Sequence, residues 1–173
     1  MKPSIRLPLI YGAIGAALGL AFFVLLFYLN RHPLLIPVFL DSRIFLFAVF
    51  MFLLLRELRE VYYDGILYFW QGLITGVFFL GVFAGVSAIS IVIFAWLEPE
   101  FVPSYIALKI AEIKTYPSEV VAQIGKDVVE SNLKMLPSTN ANQLAMMYFS
   151  QCFMIGLFLN IIIAVISRRT PKN

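Results

Sequence analysis

Residues 69–97 read FWQGLITGVFFLGVFAGVSAISIVIFAWL, a run without one acidic or basic side chain. A helix needs about 20 predominantly apolar residues to cross the roughly 30 Å hydrocarbon core of a bilayer, and this run exceeds that length. Leu7 to Leu29 and Leu144 to Ile166 meet the same requirement. A fourth apolar stretch, Ile44 to Leu55, does not. As a helix it rises only about 18 Å, so it has to extend through its polar flanks. Asp41 and Ser42 can cap its start, while Arg43 at one end and Arg56 and Arg59 at the other can carry their charges to the interfaces. The expected fold is an all-α bundle of four transmembrane helices, in one domain, with spans at about 7–29, 42–60, 68–97 and 144–166 and an extramembrane insert at about 98–143.

Composition agrees with this class. Hydrophobic residues make up 61% and charged residues 13% of the chain, far from the roughly one-quarter charged share of a soluble domain. Lys2 and Arg6 before the first apolar run resemble the start of a secretory signal. That run is too long for a signal core and ends in Phe27, Tyr28, Leu29, Asn30 and Arg31 rather than a small-residue cleavage site, so it is expected to stay as a span.

The basic residues set the expected orientation. Lys2, Arg6, Arg56, Arg59, Arg168, Arg169 and Lys172 fall on one side of a four-span chain. Of those on the other side, Lys109, Lys114, Lys126 and Lys134 lie in a long segment where charge has little topological weight. Both termini are therefore expected in the cytoplasm. Topogenic flanks account for the net charge of +3, and no nucleic-acid partner is implied. Tyr11, Tyr62, Tyr63, Tyr68 and Trp70 are expected at the cytoplasmic interface and Tyr28, Trp96 and Tyr148 at the opposite one.

In the insert, Pro99, Pro103, Pro117 and Pro137 divide the chain. Ser104 to Lys114 and Ser118 to Leu136 each place apolar residues on one face, which predicts two short amphipathic helices lying on the bundle or the headgroups. Within the spans, Gly12, Gly15, Gly19, Gly72, Gly76, Gly81, Gly85 and Gly156 are the candidate helix contacts. Gly15 with Gly19, Gly72 with Gly76, and Gly81 with Gly85 have the small-xxx-small spacing that lets backbones approach. The faces Gly12 to Gly19 and Gly72 to Gly76 are expected to pack on each other.

Little in the chain points to chemistry. One histidine, His32, and one cysteine, Cys152, are too few for a zinc site, and neither hydrolase, P-loop nor dinucleotide motifs occur, so no cofactor and no catalysis are expected. Ionisable residues inside a membrane are functional candidates by default, which singles out Asp41 and Arg43. Two residues apart, they cannot form an i to i+4 helix pair, and their expected roles are a cap that tolerates Asn and a cation reaching the interface. Gln71, Ser87, Ser90, Gln151 and Asn160 are polar enough to line a path or to bond between helices. The cluster Arg56, Glu57, Arg59, Glu60 and Asp64 is expected to be a solvated, internally paired helix end.

Arg59, the run Gly65-Ile-Leu-Tyr-Phe, Gln71, Gly72 and Gly76 leading into the third span, and the ending Gly156 to Ile166 followed by Arg168 and Arg169, resemble domain-of-unknown-function family 4199. The resemblance implies a four-helix inner-membrane protein of Gram-negative bacteria and brings no catalytic residue or cofactor with it. The leading expectation is an accessory or scaffold subunit of a larger membrane assembly, with the lipid bilayer and other membrane subunits as partners. A small transporter or channel component, using the polar residues between the helices, is the alternative, and a membrane-embedded enzyme comes third.

Overall fold

The computed structural model describes residues 2–37 and 41–170; Lys172, counted above among the topogenic cations, lies outside them. The described chain is helical, and its one β-bridge is an isolated antiparallel pair, Leu67 with Arg169. Its helices are α1 (Pro3–Tyr28), α2 (Ser42–Glu57), α3 (Phe69–Leu97), α4 (Phe101–Lys114), α5 (Ser118–Ile124), α6 (Lys126–Met135) and α7 (Ala141–Ser167). Three of them, α1, α3 and α7, are long and apolar enough to cross a membrane, as the spans of a multi-pass membrane protein are.

By that criterion α2 is not a fourth. Its α-helical part is 16 residues, and Leu58–Tyr62 continue it as a π turn rather than a further α turn. The shortfall anticipated from Ile44 to Leu55 is thus real, and helix continues across Arg56, Glu57, Arg59 and Glu60.

α3 packs on α1 and α7, and α2 packs on α7 and α1, around an apolar core that includes Phe47, Met51, Leu54, Leu55, Phe79, Leu80 and Phe83. The outside of the bundle is apolar too: Leu18, Phe22, Ile74, Phe78, Ile93, Met154 and Phe158 are all exposed. A helix apolar on every face is what lipid surroundings call for. Beyond Leu97, the insert folds as α4, α5 and α6 rather than as two helices. Gly125 ends α5 at φ +97°, a conformation few side-chain-bearing residues adopt, and so splits the expected Ser118 to Leu136 helix.

Glycines are used differently from their sequence pairing. Gly12, Gly15 and Gly19 meet α3 at Val82, Phe79 and Phe83, not at Gly72 and Gly76. Gly72 faces Leu55 and Ala164, and Gly76 faces Asn160 on α7. Gly156 receives the Leu80 side chain. No atom outside their own helical surroundings lies within 4 Å of where a Cβ would stand at Gly81 or Gly85, so the third spaced pair makes no close contact. Spacing identifies a face of a helix; it does not say which neighbour meets it.

Candidate functional site

The most concentrated polar chemistry in the interior is built on Arg43. Asp41 has extended backbone and caps α2 with Oδ1, which accepts the Arg43 N–H at 2.9 Å. Because Asp41 lies outside the helix, its other oxygen can turn back to the Arg43 side chain. Arg43 Nε donates to Asp41 Oδ2 at 2.6 Å, and Nη2 pairs with the same oxygen. The i to i+4 rule governs residues within one helix, so it does not exclude this i to i+2 pair across a helix start.

Arg43 is 7% exposed and does not reach outward to an interface as expected. Its guanidinium instead donates from Nη2 to Gln151 Oε1 at 3.2 Å and from Nη1 to Cys152 Sγ at 3.5 Å, with Cζ 4.3 Å from the Tyr148 ring centre. Those three residues lie on two successive turns of α7, so one side chain ties the start of α2 to α7. Tyr148 is consequently buried beneath a cation rather than placed in an aromatic belt. Cys152 is buried as well, but beside a charge rather than in apolar surroundings. An unpaired buried cation would be expensive; here hydrogen bonds, a carboxylate and a ring face offset its desolvation.

A second buried polar contact joins α7 to α3. Asn160 is fully buried, and its Nδ2 donates to the Leu73 carbonyl at 2.9 Å. Its Oδ1 has no hydrogen-bond partner among the described residues and lies against Gly76, where a Cβ would overlap the amide. Gly76 is therefore the recess that admits Asn160. Gln71 is not brought to either group; its Oε1 accepts the Tyr68 N–H at 3.0 Å at the start of α3.

Two water-sized spaces adjoin Tyr148, and one of them also borders Arg43. One of about 20 Å³ is lined by Asp41, Ser42, Arg43 and Tyr148, and another of about 10 Å³ by Tyr148, Ser87, Phe23 and Leu20. Ser87 Oγ is buried without a partner among the described residues. At the far end of α2, Glu57 accepts the Tyr11 hydroxyl at 2.5 Å and Arg59 donates to the Ser167 carbonyl at 3.2 Å. Only Arg56, Arg59 and Glu60 form the expected internal pairs of that cluster. A larger cavity, about 430 Å³, opens between α4, α6 and the start of α7. Among the described residues no three His, Cys, Asp or Glu side chains come together as a metal site would need.

Residues 10–169 match the model of the family described as protein of unknown function (DUF4199), and the chain belongs to that family. No curated protein and no solved structure gives a match.

Proposed function

We propose that this member of the DUF4199 family is a four-pass protein of the bacterial inner membrane, both termini cytoplasmic, that works without catalysis as an accessory or scaffold subunit of a larger membrane assembly. In this arrangement α2 crosses with its π turn: 16 α-helical and five π-helical residues run without a break, enough for a core of about 30 Å. The observation that carries an accessory role is where the interior polar groups go. Arg43 joins Asp41 to α7, and Asn160 joins α7 to α3, so the groups that would serve a substrate are engaged in holding helices together. What remains outward is apolar surface suited to lipid and neighbouring subunits. The test is extraction in a mild detergent at native expression level, followed by native mass measurement. An assembly with other chains at fixed stoichiometry is expected; a chain that is always alone contradicts the proposal.

A transporter or channel component draws on one specific observation, two separate water-sized spaces on either side of Phe23 and Tyr148, one bordered by Arg43 and the other by the unpartnered Ser87 hydroxyl. Replacing Ser87 with Val separates the two readings. It abolishes a flux carried along those spaces and leaves a packing role nearly untouched.

A further inference from the structure

His32 is the only histidine in the chain. It sits in the loop after α1 and is 7% exposed. Its ring stacks on Phe101 of α4 with centroids 4.9 Å apart and 25° between the planes, and Phe27 and Tyr105 flank it at 6.2 and 5.4 Å. Both ring nitrogens have backbone partners. The Leu34 N–H donates to Nδ1 at 3.3 Å, so Nδ1 presents its lone pair. Nε2 lies 3.2 Å from the Phe101 carbonyl oxygen and so carries the proton. The partners thus require the neutral tautomer protonated at Nε2. A second proton, on Nδ1, would face the Leu34 N–H donor to donor and place a cation among aromatic rings.

We propose that His32 is an acid-sensitive latch: neutral, it holds the start of α4 against the loop between α1 and α2, and protonated it lets that contact go. The charged groups on the segments around it are Arg31 in its own loop, Glu98 and Glu100 just ahead of Phe101, and Lys109 one turn past Tyr105. Glu98 is taken by the Tyr28 hydroxyl and Lys109 by Glu112, the Tyr105 hydroxyl approaches the Met147 sulfur, and none of the ion pairs among the described residues includes His32. Burial holds the imidazole below its ordinary range, and the hydrogen bond to Phe101 offsets only part of that. The latch is therefore fully closed above the ordinary histidine value of about 6.5 and opens as pH falls through the lower value of the folded state. α4 also forms one wall of the 430 Å³ cavity through Tyr105, Lys109 and Ile113, so the latch and that cavity move together.

One histidine gives one signal. The full chain, carrying a histidine-free tag and labelled with carbon-13 at histidine Cε1, is titrated by NMR in micelles. We expect the tautomer protonated at Nε2 and a midpoint below about 6.5. Between the folded and unfolded midpoints, protection of the α4 amides, corrected for intrinsic exchange, should fall about tenfold per pH unit. His32→Phe keeps the ring stack and removes the proton site, so it should abolish that pH dependence. A midpoint at or above the ordinary value, or an α4 response equally steep in His32→Phe, overturns the latch. The titration of the unaltered chain decides the matter even if the variant fails to fold.

Discussion

Arg43 is held by Asp41, Gln151, Cys152 and the face of Tyr148, and this changes what substitution at Asp41 should do. As a cap alone, Asp41 would tolerate Asn, because either side chain accepts the Arg43 N–H. As the counter-charge of a buried guanidinium it would not. Asp41→Asn should cost about 3–5 kcal/mol, and adding Arg43→Met should recover most of it, since an apolar side chain leaves no charge stranded. Unfolding in mixed micelles measures both; an Asn variant as stable as the parent would show that the pair does not stabilise the fold. Gly76 offers a parallel test. A methyl there meets the Asn160 amide, so Gly76→Ala should lose about 1–3 kcal/mol and regain part of it with Asn160→Ala, while Gly81→Ala, whose methyl enters open space, should lose nothing and gain up to about 1 kcal/mol. The capping role of Asp41 was legible because it depends on neighbours in the chain. The links from Arg43 to Gln151 and Cys152, the recess at Gly76 and the bond from His32 to the Phe101 carbonyl were not, because each depends on how the chain returns through space.

At the scale of elements, the apolar runs were legible because lipid demands long, uncharged helices, and α1, α3 and α7 match their stretches within a few residues. Less legible were the places where a helix changes type. Nothing in Leu58-Arg-Glu-Val-Tyr62 marks a π turn, and a break at Gly125 requires knowing that the backbone there is left-handed. Apolar periodicity across Ser118 to Leu136 survives the break, and so it suggested one helix. Gly125→Ala forces a Cβ into that conformation and should cost about 1–3 kcal/mol locally. The readout is faster protease cleavage within 118–135 with the thermal transition of the spans unchanged; an unaltered cleavage rate would mean the corner does not need glycine.

For the whole molecule, everything turns on whether α2 crosses. The sequence asks it to extend through polar flanks, and the structure supplies a helix that does so by way of a π turn. With four crossings the two ends of the chain share a side, and the Leu67 to Arg169 bridge lies on that same side as the exit of α7. With α1, α3 and α7 alone, the ends are on opposite sides. The most direct measurement is therefore a pair of compartment-specific reporters, one fused at the N-terminus and one after the last residue, in otherwise unaltered chains. Both should report the cytoplasm, as the Lys and Arg distribution requires. Reporters on opposite sides would contradict the four-pass account and return α2 to a helix that packs on the bundle without crossing.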